Sequence, residues 1–212
     1  MPEPGLRVDH TVTSGTFSLD GETFDVDNNV WVLGDDEECV VIDAPHDPDA
    51  IMQLVGDRRV VGIVCTHAHD DHVAVAPELA DRTGAPIMLH PADTEVWQLT
   101  HPERAPDEEL ADGQVLTVGG ERVEVIHTPG HAPGAVCLHV PSQGVVFSGD
   151  TLFNGGPGAT GRSFSHFPTI LESIRERLFA LPDETRVLTG HGDETTIGAE
   201  RPAYDDWVAR GH

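Results

Sequence analysis

At 212 residues, with 38% hydrophobic and 23% charged side chains, the chain has room for one well-buried domain, expected to span 1–212, and too little for two comfortable ones. Thirty-seven acidic residues stand against twelve basic ones, all of them Arg, for a formal charge of −25; a field of that sign repels phosphate backbones and argues against a nucleic-acid partner. No apolar run is long enough to span a bilayer, and Met1-Pro2-Glu3-Pro4-Gly5 lacks the basic-then-apolar pattern of an export signal, so a cytoplasmic protein with no membrane partner is expected.

The elements follow in short alternation. Asn29–Leu33 and Glu38–Ile42 read as adjacent strands turned by Gly34-Asp35-Asp36. Pro48–Val55 reads as a helix with Asp47 as its N-cap. Val60–Cys65 is a continuous apolar run, as in a strand covered on both faces. Asp71–Thr83 has helical spacing at Val73, Leu79 and Ala80 and stops at Gly84. Pro86–Leu89 is a strand and Ala92–Leu99 a short helix. Gln114–Val118 and Arg122–Ile126 form a hairpin over Gly119-Gly120, and Val136–Val140 pairs with Val145–Ser148. Phe167–Leu181 is the clearest amphipathic helix, with Ile170, Leu171, Ile174, Leu178 and Phe179 on one stripe, and Arg186–Leu188 is the last strand. Strands with helices in both halves argue for a layered α/β domain. Cys39, Cys65 and Cys137 lie in apolar surroundings without C-x-x-C spacing and read as reduced, buried residues.

Four strands end in chemistry-bearing turns: Thr66-His67-Ala68-His69-Asp70-Asp71-His72, Gly130-His131, Gly149-Asp150 and Gly190-His191. That edge of an α/β sheet is where ligands bind. Imidazole and carboxylate suit zinc, iron or manganese. His67 and His69 can chelate one ion from one face of an extended segment, Asp71 and His72 can aim at a second, and Asp150 can bridge the two. One His past a strand is usually just a hydrogen-bonded residue; three His and two Asp within six residues are costly to cluster without a cation. His10, His90, His101, His127, His139 and His212 have no such spacing and read as ordinary residues, His46 and His166 as candidates for the rim, and Asp70 as facing solvent or capping the following helix.

With these residues in place, the sequence resembles the metallo-β-lactamase superfamily. His67 to His72, Gly130-His131, Ser148-Gly149-Asp150-Thr151-Leu152-Phe153 and Gly190-His191-Gly192 match that family's metal motifs in order, and Asp43 in Val41-Ile42-Asp43 matches its early Asp, over roughly residues 28–200. The resemblance implies a four-layer αβ/βα sandwich holding two divalent ions, zinc first, iron or manganese otherwise. His67, His69 and His131 would hold one, Asp71, His72 and His191 the other, with Asp150 bridging and Asp43 behind them orienting the ligands.

Within the family, class B1 lactamases carry Cys at the position of Asp150 and flavo-diiron proteins Glu at that of His69, so neither fits. The superfamily's nucleases need a basic surface or an inserted domain. Gly149 to Phe153, the Gly-rich loop to Gly161-Arg162, and Thr195 to Arg201 look most like glyoxalase II in its short bacterial form. That implies hydrolysis of a small S-acyl thiol by a hydroxide bridging the two ions, with Asp71 and Asp150 as catalytic carboxylates and Arg162 a candidate to grip the substrate; no G-x-S-x-G elbow offers a serine nucleophile. There are departures. Only twenty-one residues follow His191 and Lys is absent, so a less charged thiol carrier than glutathione is expected, and Val73-Ala74-Val75-Ala76 replaces a Gly-rich continuation. The rivals are a persulfide dioxygenase-like oxidoreductase, with one iron at the positions of His67, His131 and Asp150, a lactone hydrolase, and a non-catalytic relative.

Overall fold

A strand covered on both faces needs apolar residues at every position, and Val30–Leu33, Cys39–Ile42 and Ile63–Val64 supply them. A computed structural model, which describes residues 5–211 and so leaves His212 outside the described residues, places these segments inside a six-stranded sheet. Its spatial order is β1 (Arg7–Leu19), β2 (Glu22–Gly34), β3 (Glu38–Ile42), β4 (Arg59–Val64), β5 (Ile87–Leu89) and β6 (Glu108–Glu109). The first three run antiparallel and the last three continue parallel to β3. The crossovers carry α1 (Pro48–Val55), α2 (Asp70–Val73), α3 (Ala76–Thr83) and α4 (Thr94–Thr100).

The second sheet begins with β7 (Val115–Val118), β8 (Glu121–His127), β9 (Val136–Val140) and β10 (Val145–Gly149), an antiparallel meander. After the hairpin of β11 (Leu152–Phe153) and β12 (Gly156–Pro157) and the helix α5 (Phe167–Ser173), β13 (Arg186–Thr189) returns parallel to β10 and β14 (Thr195–Thr196) forms the edge. Two short helices, α6 (Ile197–Glu200) and α7 (Tyr204–Arg210), follow.

Successive side chains on a strand face opposite ways, and both sets are buried here. Trp31, Leu33, Val40 and Ile42 meet Val125, Leu138, Val145 and Phe147 between the sheets. Val30, Val32, Cys39 and Val41 pack outward on Ile51, Leu79 and Trp97 of the first helical layer. Cys137, Val146 and Val187 pack on Ile170, Ile174, Leu178 and Trp207 of the second. Each fully buried side chain of this size contributes about 1.5–3 kcal/mol. The layering is helix, sheet, sheet, helix. Among the described residues no helix is long and apolar enough to cross a membrane.

Helix α1 begins where Asp47 caps it, accepting the amides of Asp49 and Ala50. The helix expected over residues 71–83 is instead two, α2 and α3, broken at Ala74-Val75. Pro77 has no N–H for the carbonyl of Val73, and His101 Nε2 donates to that carbonyl at 2.9 Å instead. The helix expected over residues 167–181 is also shorter: α5 gives way to a π turn at Ile174–Leu178, closed by Phe179 N–H on the carbonyl of Ile174. The short helix near residue 92 starts as a 3-10 turn at Pro91–Asp93 and continues as α4.

Candidate metal centre

The loops after β3, β4, β8, β10 and β13 converge on one edge of the sandwich. Asp43 ends β3 with φ +61, a left-handed conformation in which Asp is tolerated. Its Oδ1 accepts the amide of Thr66 at 2.7 Å, and its Oδ2 accepts Thr66 Oγ1 and His72 Nδ1, each at 2.8 Å. One carboxylate thereby ties the end of β3 to the start of the histidine loop and to a ring within it.

The rings are oriented by their outer nitrogens. His131 Nδ1 donates to the carbonyl of Ala159 at 2.8 Å and His191 Nδ1 to that of Asp27 at 2.7 Å. A carbonyl only accepts, so Nδ1 carries a proton and Nε2 is the nitrogen left to face inward. His72 is fixed likewise on Asp43, and His67 Nδ1 lies 3.2 Å from Thr66 Oγ1, which has given its own proton to Asp43. His69 turns Nδ1 inward, 3.0 Å from both His67 Nε2 and His131 Nε2. Behind this group, buried Asp93 accepts the amides of Ala68 and Gly134, joining the loop of His67 and His69 to that of His131.

Asp71 Oδ2, His72 Nε2 and His191 Nε2 make a second group, with separations of 3.6, 3.2 and 3.2 Å. Asp150 lies between the groups: its Oδ2 is 3.5 Å from His131 Nε2 and 3.4 Å from His191 Nε2. Its Oδ1 is buried without a well-formed hydrogen bond, although His72 Nε2 is 3.4 Å away. Ring nitrogens facing one another with no protein partner of their own beyond each other, beside a buried carboxylate oxygen lacking a donor, are what a pair of divalent cations satisfies, and the His/Asp set suits zinc, iron or manganese. Gly190 makes room for it, since a β-carbon there would fall 2.2 Å from Asp150 Oδ1.

The two groups differ electrostatically. Burial holds His67 far below the usual imidazole range and His69 down to about 3. Burial opposes charge on His72 and His191 too, but Asp150 and Asp71 outweigh it, raising His72 well above the usual value and His191 to about 10. Burial would likewise raise Asp150, yet His72 and His191 hold it well below the usual carboxylate range. Asp43, Asp71 and Asp150 around His72 thus demand positive charge, which protons or a cation can supply.

Each residue expected at the site is found at this edge, and Arg162 at its rim. The cleft beside His69 and His131, a narrow one of about 50 Å³, is walled by Phe17, Ala159, Thr160 and Arg162. Arg162 pairs with Glu22 at 2.6 Å and lies over the Phe24 ring. His46 stands behind the cluster, 2.9 Å from Asn28 Oδ1, whereas His166 is exposed and bonded to Thr169. Asp70 neither faces solvent alone nor caps α2; its carboxylate accepts the amide of Ser18 from β1. His10 bonds Asn29, and His90 and His127 stack on each other at 4.0 Å, away from the donors. Sequence reasoning missed Asp93 and Asn28. Asn28 Nδ2 lies 3.1 Å from Asp71 Oδ2, 3.3 Å from His72 Nε2 and 3.4 Å from His191 Nε2. An Asn-Asn pair is poor strand composition, and that was its one visible signal.

Residues 23–191 match the model of the metallo-beta-lactamase superfamily. The chain is 31% identical over 189 residues to hydroxyacylglutathione hydrolase GloC of Haemophilus influenzae, covering 82% of this chain and 89% of that protein. Among solved structures it is similar to the BLEG-1 B3 metallo-beta-lactamase, with TM-score 0.78, 28% identity, and 92% and 100% of the two chains covered. It is also similar to TTHA1623 in a di-iron-bound form, with TM-score 0.72, 32% identity, and 89% and 96% covered. A match over most of the chain, on a sandwich with His and Asp donors gathered at its edge, makes this chain a member of the metallo-β-lactamase superfamily of metallo-hydrolases.

Proposed function

We propose that the chain hydrolyses small thioesters at a dinuclear centre. His67, His69 and His131 would hold one cation and Asp71, His72 and His191 the other, with Asp150 shared. The observation that carries this reading is the position of Asp150, whose one carboxylate reaches rings of both groups. When bound, the ions would supply an acidified water and polarise an acyl carbonyl; zinc is the first choice and iron the second.

The chain's own residues do the rest. Asp43 and the carbonyls of Ala159 and Asp27 hold the rings in one tautomer. Phe17 and Ala159 wall the cleft against water where an acyl chain would lie, and Arg162 stands at its rim to meet a carboxylate or carbonyl. Ser165 Oγ is spent on the backbone of Gly161 and Arg162, and burial raises the thiol of Cys137 to about 11. The GloC relative is named a hydroxyacylglutathione hydrolase. The acidic surface and absence of Lys favour a less charged thiol carrier than glutathione.

The test is thiol release by metal-loaded protein from hydroxyacyl thioesters of glutathione and of a neutral thiol. A lactone and a chromogenic cephalosporin serve as rival substrates, His69→Ala as the control, and metals are counted by mass spectrometry. Two ions per chain and thiol release that His69→Ala abolishes are expected. Absence of metal-dependent thiol release sinks the proposal, and one iron per chain with oxygen uptake transfers the chain to persulfide dioxygenase chemistry.

A further inference from the structure

Asn28 is 1% exposed inside β2, with its carboxamide against the second donor group. Its inward atom is 3.1, 3.3 and 3.4 Å from Asp71 Oδ2, His72 Nε2 and His191 Nε2. Those three are 3.2–3.6 Å from one another. Six nearly equal separations among four atoms allow one arrangement, a nearly regular tetrahedron, because four coplanar atoms would include a much longer diagonal. The centre of a tetrahedron of that edge lies about 2 Å from every corner, the usual length of zinc–nitrogen and zinc–oxygen bonds. A hydrogen-bond bracket for Asp71 would require only one of the three contacts. An NH2 group has two protons to place among three neighbours, whereas a central cation serves all three.

The two ends of a carboxamide have the same shape. Turned over, Asn28 faces the donors with its oxygen and gives its NH2 to His46 Nε2, which lies 2.9 Å from the other end. His46 can accept there with its proton on Nδ1. Its ring is seated against β1 at Gly15, where a β-carbon would fall 2.2 Å from Nδ1. Resting on the dinuclear reading above, we infer that Asn28 is itself a ligand of the second cation, through its carboxamide oxygen, with His46 as the positioning residue that holds the amide.

The experiment is titration of metal-free protein with Zn²⁺ against a chelating dye, which reads each equivalent separately, for wild type, Asn28→Ala and Asn28→Asp. Wild type binds two equivalents. Asn28→Ala keeps the first unchanged, an internal control for folding, and weakens the second at least tenfold. Asn28→Asp, which always presents an oxygen, binds the second at least as tightly as wild type. Equal second-site affinity in wild type and Asn28→Ala overturns the inference and leaves the dinuclear reading standing. Equal weakening in Asn28→Asp overturns it in favour of an amide that donates to Asp71, and a second equivalent gained only in Asn28→Ala overturns it in favour of an amide that blocks the site. A wild-type chain that binds fewer than two equivalents overturns the inference and the dinuclear reading together.

Discussion

Asp43 Oδ2 accepts the Nδ1 proton of His72 at 2.8 Å, and this one bond decides which nitrogen of His72 faces the donor cluster. Asp43→Asn keeps a residue that tolerates the positive φ and can still accept the amide of Thr66, but sets an NH2 against the ring N–H. The ring must reverse its tautomer or lose its partner. A 10–100-fold loss of affinity in the group of His72 is expected, with a melting temperature for the metal-free protein within a few degrees of wild type. Chelator competition and thermal unfolding check the two halves of this statement.

Gly190→Ala drives a β-carbon to 2.2 Å from Asp150 Oδ1 and 2.8 Å from His72 Cε1. The backbone cannot retreat easily, because Gly190 N–H is bonded to Gly149 and its carbonyl accepts the amide of Asn29. A stability loss of about 1–3 kcal/mol is expected, together with a larger fractional loss of metal binding. Denaturant unfolding and metal stoichiometry of the purified variant measure both.

Asp93→Asn leaves an NH2 where a carboxylate oxygen accepted either Ala68 N–H or Gly134 N–H. One buried donor loses its acceptor, a cost of about 1–3 kcal/mol. Since Asp93 joins the loops of His67–His69 and His131, the first equivalent of metal weakens while the second is little changed. A variant with wild-type stability and a wild-type first equivalent would contradict this account.

Metal uptake by the metal-free chain releases protons. His191 is raised to about 10, so at pH 7 it is protonated until a cation takes the place of its inward proton, and Asp150 and Asp71 push His72 in the same direction. Apparent affinity therefore rises with pH below the raised values, by up to about tenfold per pH unit for each proton displaced. Calorimetry in buffers of different ionisation enthalpy counts the protons. A heat independent of buffer refutes the prediction.

The site was legible where a short stretch of chain carries its whole logic. His67, His69, Asp71 and His72 stand within six residues, and the apolar run of β4 before them places them at a sheet edge. Asp47 before Pro48 announces α1 for the same reason, since a cap is a local contact. The rest depends on distant partners. Asp93 meets Ala68 from 25 residues away and Asn28 meets Asp71 from 43, so neither carries a mark in its own neighbourhood beyond its unsuitability for burial. Strand β1 is rich in Thr and Ser, and only Thr13 and Leu19 are buried in it. It lacks the apolar alternation that identifies a strand, and the Asp20-Gly21 turn, with φ +56 and +79, is its one local sign. Pro77 could have divided the helix expected over residues 71–83, but the continuing spacing of Leu79 and Ala80 masked it.

Each donor group draws on both sheets: His67 and His69 follow β4 while His131 follows β8, and Asp71 and His72 lie on α2 while His191 follows β13. A cation in either group is therefore a cross-link between the two halves of the chain, added to the side-chain packing and to the few hydrogen bonds, such as Asn29 N–H to the carbonyl of Gly190, that already join them. Its contribution grows as RT ln(1 + [M]/Kd), about 4 kcal/mol at a thousandfold excess over Kd. Resistance to unfolding then becomes a property of the surrounding metal concentration as much as of the sequence, and chelation loosens the seam of the sandwich in the same act that removes its chemistry.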